Sequence, residues 1–215
     1  MSDDRSPDTL LRSARAVGEH YVPDHPYFAH AEPSMDQVWE ALIWPMIRSC
    51  DLGYVVDLAA GHGRNTRKVL EAGAQRVLAL DIQPGNVAIC AGRFAGDPRL
   101  TCAVCSGYDM APVPSRAVGL VYCFDAMVHF NPDVVGSYLA ETRRCLKPGG
   151  HGFFHHSNHL GGPDWQANPH ARNVMSAALF RGFAAAARLE VVEQRVIDWG
   201  DAPGLDCVTL VRKGA

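Results

Sequence analysis

From residue 51 onward, short apolar runs alternate with segments in which apolar residues recur at helical spacing. This alternation is typical of βαβ units, which build a mostly parallel sheet with helices on both faces. The pattern predicts seven strands, at residues 54–59, 76–81, 100–104, 119–124, 150–156, 189–197 and 206–211. Helices are predicted between them at residues 64–71, 85–94, 133–146 and 174–187. We therefore expect an α/β fold.

The first fifty residues follow a different pattern. A helix is predicted at residues 9–20, and the segment YVPDHPYFAHAEPS after it is too rich in Pro, His and aromatic residues for regular structure. A second helix at residues 35–50 has apolar residues at helical spacing and a kink at Pro45. We expect residues 1–50 to form a helical arm or lid, and residues 51–215 to form the main body of the same domain.

The composition is that of an ordinary globular protein, with 47% hydrophobic and 20% charged residues among 215. A net charge of -3 gives no general electrostatic reason to bind DNA or RNA. The sequence has neither the pattern of a signal peptide nor an apolar run of about eighteen residues, so we expect a cytoplasmic protein with no membrane contact. Its seven cysteines are scattered through apolar segments, which is typical of reduced, buried thiols.

The segment VVDLAAGHGRNTRKVL contains an apolar strand that ends in an acid, then a turn of small residues, then a helix. Small residues let the backbone approach a ligand closely, and the helix N-terminus offers unpaired N–H groups. A dinucleotide site would have the spacing Gly-x-Gly-x-x-Gly. The spacing here fits acid-x-Gly-x-Gly-x-Gly instead, at Asp57, Ala59, Gly61 and Gly63, with alanine in place of the first glycine.

A second carboxylate supports a nucleoside ligand. Asp81 ends the second predicted strand, 18 residues after Gly63, where it can accept both hydroxyls of a ribose. The order of motifs VVDLAAGHG, LALD, GYDM, LVYCFDAMVHF and RCLKPGG then resembles a class I S-adenosylmethionine-dependent methyltransferase, over residues 54–157. The resemblance implies a Rossmann-like sheet of order 3-2-1-4-5-7-6 with the last strand antiparallel, and S-adenosyl-L-methionine across the ends of strands one, two and four.

The resemblance also implies roles for single residues. Residues 57–63 would hold the methionine part of the cofactor, and Asp81 its ribose. Ile82 and Tyr108 would contact the faces of the adenine, and Asp109 its amino group. The full set of implied cofactor-binding residues is Asp57, Ala59, Gly61, Gly63, Asn65, Asp81, Ile82, Tyr108, Asp109 and Cys123.

The candidate catalytic residue is His129, in the segment after the fourth strand. The resemblance to these methyltransferases implies that this segment lines the acceptor site. Methyl transfer from a sulfonium is an in-line displacement that depends mainly on positioning, and a base is needed only if the acceptor must lose a proton. Imidazole titrates near neutrality and can take that proton. The alternative is a packed histidine that bonds a neighbouring backbone group.

A second polar cluster, FFHHSNHLGG, lies at the end of the fifth strand. Strand alternation sends His155 and His156 to opposite faces, so at most one reaches a given pocket. A metal would need three convergent ligands, and His129 with one of this pair supplies two, so no metal is expected. His170 and Arg172 precede the next helix, and Arg172 is either a clamp for a carboxylate or phosphonate or a solvated charge. The predicted substrate contacts are Tyr27, His155, His156, Asn158 and Arg172.

These features predict methyl transfer to an oxygen of a small polar or anionic metabolite, such as a sugar, phosphonate, carboxylate or natural-product hydroxyl. The alternatives are methylation of a small amine, a nicotinamide-dependent oxidoreductase, and a catalytically silent binding subunit. The oxidoreductase is disfavoured because the turn lacks the dinucleotide spacing. Tyr21, Tyr27 and Phe28 of the arm either fold over the cofactor or pack the helices, and such an aromatic arm leads us to expect a homodimer.

Overall fold

A computed structural model describes residues 6–161, 167 and 171–215, so His170 lies outside the described residues. One seven-stranded sheet has the order β3-β2-β1-β4-β5-β7-β6. β7 is antiparallel to both of its neighbours, whereas the other paired strands are parallel. The strands are β1 (Val55–Leu58), β2 (Val77–Asp81), β3 (Leu100–Val104), β4 (Val118–Cys123), β5 (Leu146–Ser157), β6 (Glu190–Trp199) and β7 (Ala202–Arg212). The predicted order and antiparallel last strand are confirmed.

Helices cover both faces of the sheet because consecutive strand residues are buried on opposite sides. Val55 belongs to a cluster with Ile43 and Val69, whereas Val56 belongs to a cluster with Tyr138 and Phe180. The α-helices are α1 (Pro7–Gly18), α2 (Tyr27–Ala31), α3 (Met35–Val38), α4 (Trp44–Ile47), α5 (Arg64–Glu71), α6 (Pro84–Arg93), α7 (Pro132–Cys145) and α8 (Ala177–Ala186). Within the described ranges, none of the helices meets the length and apolarity needed to cross a membrane.

The arm is more regular than its sequence indicates. The segment expected to be irregular contains α2 and a 3-10 turn, Glu32–Ser34. Its prolines are compatible with this because Pro26 caps α2 and Pro33 lies in the first turn of the 3-10 segment, where a missing N–H costs nothing. The expectation of no regular structure there is therefore wrong.

The predicted second helix, residues 35–50, is three consecutive helical pieces that end at Ile47. α3 and α4 are separated by a π-helical turn, Trp39–Ile43, which directly precedes the residues around Pro45. A proline cannot donate to the helical hydrogen-bond ladder, and a widened turn is one of the ways in which a helix accommodates that loss.

β5 begins earlier than its predicted start at residue 150. Leu146 already pairs with Val118 of β4, and the ladder then shifts register before it resumes at Leu120 and His151. Gly149 has a left-handed φ of 76° in this irregular stretch. The Lys-Pro-Gly-Gly sequence therefore ends α7 and forms a bulged start to β5.

Candidate active site

A cavity lies at the carboxyl ends of β1, β2 and β4, beneath the N-terminal arm. The location follows the rule that open α/β sheets bind ligands beyond the carboxyl ends of their strands. The residues predicted from sequence that line it are Tyr27, Ala59, Gly61, Asn65, Asp81, Ile82 and His129.

The turn after β1 is left-handed at three alternate positions. Ala59, Gly61 and Gly63 have φ values of 57°, 54° and 83°. A Cβ added to Gly61 would lie 2.7 Å from the ring of Phe28, and one added to Gly63 would lie 2.7 Å from the ring of Phe94. The turn therefore needs glycine for close packing at two positions, and Ala59 holds a conformation that glycine adopts more readily.

Asp81 fastens this turn to β2. Its Oδ2 accepts a hydrogen bond of 2.9 Å from the backbone N–H of Gly61, and its Oδ1 accepts one of 2.9 Å from the N–H of Gln83. The Asn86 side chain donates to the same Oδ1 at 3.4 Å. Burial raises the pKa of Asp81, while these hydrogen bonds oppose that rise. The carboxylate thus sets the shape of the turn as well as lining the cavity.

Asp57 lies below the turn and is fully buried. The Thr66 hydroxyl donates to its Oδ2 at 2.6 Å, whereas Oδ1 has no hydrogen-bond partner among the described residues. Burial raises the pKa of Asp57 to about 7. A buried carboxylate oxygen without a donor is costly, so this atom is suited to a donor from outside the chain.

The arm forms the roof of the cavity through α2. Phe28 stacks on His62 with ring centroids 3.8 Å apart. The Tyr27 hydroxyl donates to Asp125 Oδ2 at 2.7 Å, and Arg64 Nη2 donates to both groups, at 2.9 Å and 3.0 Å. Arg64 Nη1 also donates to the carbonyl of Ala31 at 2.8 Å. Arg64 and Asp125 therefore hold both ends of α2 against the cavity of their own chain.

His129 lines the cavity from the 3-10 segment Met127–His129, which follows β4. Its Nδ1 is 2.9 Å from the carbonyl of Ala171, which only accepts, so Nδ1 carries the proton of the neutral ring. Its Nε2 is then the acceptor for the Tyr21 hydroxyl at 2.9 Å. Burial lowers the pKa of His129 to about 4. The ring is neutral at pH 7 and presents one lone pair.

The histidines of β5 face opposite sides of the sheet, and neither lines the cavity. His155 Nε2 is 2.9 Å from Asp206 Oδ2, and Asp206 also receives two hydrogen bonds from Arg172, at 2.8 Å and 2.6 Å. His156 stacks on Phe180 at 4.0 Å and bonds Thr209 at 2.9 Å. Burial lowers the pKa of His156 to about 3. Arg172 is buried in an ion pair with Asp206, so the alternative of a solvated surface charge is wrong.

The remaining predicted residues also lie off the cavity wall. Asn158 accepts from the Ala177 N–H at the start of α8 and donates to the carbonyl of Gly204 in β7. Asp109 accepts from a backbone N–H two residues along the loop, and Cys123 is fully buried in the core. Cys105 and Gly107 line the cavity where Tyr108 was expected.

Sequence comparison assigns the central part of the chain to a family. The family model described as a methyltransferase domain matches residues 55–150, which run from β1 to the bulged start of β5. Residues 55–150 of this chain therefore form a methyltransferase domain. The match covers the turn, Asp81 and the segment after β4, so the methyltransferase domain includes most of the cavity.

The methyltransferase domain is similar to several known proteins. The chain is 28% identical over 151 residues to the tRNA U34 carboxymethyltransferase of Methylococcus capsulatus, covering 68% of this chain and 44% of that protein. It thus spans less than half the length of that curated relative. A methyltransferase bound to the Haloferax volcanii Trm112 activator is 21% identical with a TM-score of 0.68, covering 87% of this chain and 95% of that one. A Mesorhizobium loti S-adenosylmethionine-dependent methyltransferase is 19% identical with a TM-score of 0.66, covering 83% and 100%.

The described residues fit S-adenosyl-L-methionine, the cofactor of this methyltransferase domain. The turn at residues 59–63 carries only small side chains at its left-handed positions, so a ligand can approach its backbone closely. The Asp81 carboxylate holds the turn in place by accepting from the Gly61 N–H. Asp57 supplies a buried oxygen in need of a donor, which suits the amino group of the cofactor or a water that it holds.

Sequence reasoning missed Arg64 and Asp125 as partners in the methyltransferase domain. Arg64 follows the turn directly, and Asp125 lies within the segment after β4, but their pairing joins positions 61 residues apart. Asp125 has a left-handed φ of 59°, which no local sequence pattern announces. A cation that directly follows the small-residue turn was the one available signal.

Proposed function

We propose that the methyltransferase domain transfers a methyl group to an oxygen of a small polar metabolite such as a sugar or a natural-product hydroxyl. The observation that carries this proposal is the cavity itself, which joins the turn after β1 to a polar end formed by His129, Tyr21 and Asp125 under the arm. A cavity roofed by the arm and lined by these polar groups suits a small acceptor that lies beside the cofactor.

The residues of the chain would divide the work as follows. When bound, S-adenosyl-L-methionine supplies an electrophilic methyl group. The turn and Asp81 position the cofactor, and the arm excludes water from the cavity. His129 would accept a hydrogen bond from the acceptor hydroxyl at Nε2, the atom that now accepts from Tyr21. Its low pKa keeps this lone pair available at pH 7.

Two arginines bear on the charge of the acceptor. Arg64 is paired with Asp125, and Arg172 is paired with Asp206. Because each guanidinium already has a carboxylate partner, an anionic acceptor such as a phosphonate would have to displace one of them. This favours a neutral hydroxyl over the anionic acceptors considered above.

RNA is a second candidate acceptor, since a tRNA carboxymethyltransferase is similar over 151 residues. The net charge of -3 and the roof formed by the arm favour the small molecule. Isothermal titration calorimetry should detect binding of S-adenosylhomocysteine to the protein and no binding of NAD. Labelled S-adenosylmethionine should then methylate members of a hydroxyl-compound panel and leave unmodified tRNA unlabelled; label in tRNA alone would replace the proposal with the second candidate.

The role of His129 has its own test. His129→Asn should lower turnover about 100-fold, the smaller end of what a general base contributes, while S-adenosylhomocysteine still binds. Tyr21→Phe provides a control that removes the present partner of Nε2 and retains the imidazole. Near-full turnover of His129→Asn would show that the histidine is a packing residue.

A further inference from the structure

A chain of buried hydrogen bonds connects β7 to the arm. Arg172 binds Asp206 through two donors, Asp206 binds His155, and His155 Nδ1 accepts from the backbone N–H of Asp125 at 3.2 Å. Relative exposures are 2% for Arg172 and 0% for Asp206 and His155. Three side chains of this polarity are rarely buried together unless each is bonded to the next.

The hydrogen bonds fix the protonation of His155. Nδ1 accepts from an N–H and is therefore unprotonated, so Nε2 carries the proton and donates to Asp206 Oδ2. The ring is held between Phe124 and Trp199, with centroids 4.6 Å and 4.8 Å away. His155 therefore has one orientation, in which its single lone pair faces the Asp125 N–H.

Asp125 is the residue at which this series of hydrogen bonds reaches the cavity. Its backbone is left-handed, with φ of 59°, and its carboxylate receives both Tyr27 and Arg64. Since Arg64 also holds the carbonyl of Ala31, the position of Asp125 decides whether α2 is held at both ends. A left-handed aspartate persists only where surrounding bonds favour it, and the bond to His155 is one of these.

We propose that His155 is a positioning residue that keeps Asp125 in this conformation and so holds the arm closed over the cavity. Asp206 and Arg172 act through it by fixing its tautomer and orientation. Closure of the arm can be measured without a ligand. Only its effect on ligand release rests on the proposed function.

Two amide substitutions separate the two bonds of His155. In His155→Asn, the amide oxygen takes the place of Nδ1 and keeps an acceptor for Asp125. In His155→Gln, the longer amide takes the place of Nε2 and keeps the contact with Asp206 alone. Both lose the aromatic stack equally. His156→Asn is a matched control, because His156 is the next residue of β5, is equally buried, and lies on the other face of the sheet, where it stacks on Phe180.

Hydrogen exchange of the ligand-free protein at residues 25–31 is the primary measurement. His155→Gln should exchange there about tenfold faster than the parent protein, the change expected from losing one buried hydrogen bond of ordinary strength. His155→Asn and His156→Asn should exchange there at the parent rate. S-adenosylhomocysteine should also dissociate about tenfold faster from His155→Gln than from His155→Asn.

Equal exchange of the arm in His155→Gln and His155→Asn would overturn the proposal and make His155 an ordinary core residue. If both amides unfold, His155→Phe retains the stack and should open the arm, and unchanged exchange in that variant would overturn the proposal as well. Failure of the parent protein to bind S-adenosylhomocysteine would remove the proposed function, while the exchange result would still decide the role of His155.

Discussion

The two ends of the cavity are built in different ways. At the β1–β2 end, the turn and Asp81 are positioned by local backbone conformation and by a hydrogen bond across 20 residues. At the arm end, Tyr21 meets His129 across 108 residues, and Tyr27 meets Asp125 across 98. Damage to the first end should therefore act through local strain, and damage to the second through the loss of links between distant segments.

The largest expected effect tests the arm end of the cavity, which depends on contacts between distant segments. Asp206→Ala should lower the free energy of unfolding by about 3–5 kcal/mol, because Arg172 is left as a buried charge without its carboxylate. Denaturant unfolding monitored by circular dichroism measures this. Asp198→Ala, an exposed aspartate of the adjacent hairpin, should cost less than about 1 kcal/mol. Equal losses would contradict the difference between a buried link and a surface bond.

The arm end should also make the stability of the protein depend on pH. The pKa of folded His129 is about 4, below its ordinary 6.5, so its contribution to stability is complete above pH 6.5 and is lost as pH falls through 4. By linkage this loss is roughly 3 kcal/mol at most. Asp57, with a pKa of about 7, has the opposite sign: its contribution is present at low pH and is lost as pH rises from about 4 through 7.

Comparing the parent protein with His129→Asn isolates the contribution of the histidine to the pH dependence of stability, because both proteins retain Asp57. The difference in unfolding free energy between the parent protein and His129→Asn should shrink as pH is lowered from 7 to 4.5. Unfolding curves at four pH values between these limits measure it. A difference that stays constant would mean that the histidine titrates normally in the folded protein.

At the local end, Gly61→Ala should weaken S-adenosylhomocysteine binding about tenfold, or about 1.4 kcal/mol. Its Cβ would lie 2.7 Å from Phe28, in a backbone with φ of 54°. Gly73→Ala is the matched control, since Gly73 has φ of 95° and nothing lies within 4 Å of an added Cβ. Titration calorimetry should show the affinity unchanged in that control. Equal losses of affinity would remove the close contact with the roof as the cause.

The smallest expected effect is a gain. Ala59→Gly should raise the free energy of unfolding by about 0.5–1 kcal/mol, because relief of the left-handed strain outweighs the greater entropy of glycine in the unfolded chain. Ala72→Gly, at a right-handed helix end, should do the reverse. Chemical denaturation of the two variants measures both signs. A loss of stability in Ala59→Gly would show that Ala59 is not strained.

The same contrast explains what could be predicted from the sequence. The strand order followed from the resemblance, and the bounds of β3 and α5 followed from local patterns. Three of the four positions of the acid-and-glycine motif lie in the left-handed turn, since the spacing of small residues encodes that turn directly.

The arm end was not encoded in any local pattern. Nothing near Arg172 indicates that Asp206 will neutralise it, and nothing near Tyr27 indicates Asp125. These pairs exist because tertiary packing brings separate segments together, so their side chains could be named as candidates but not assigned partners. Similarly, the early start of β5 depends on a partner, Val118, more than twenty residues away in the sequence.

The position of β7 between β5 and β6 has a consequence for synthesis on the ribosome. Among the described strands β6 pairs with β7 alone, so it has no place in the sheet until the later strand has been translated. Asp206 lies on that later strand. A nascent chain can thus assemble β1 to β5 as they emerge, but it acquires the carboxylate behind His155 only after β6 and the first part of β7 have been translated.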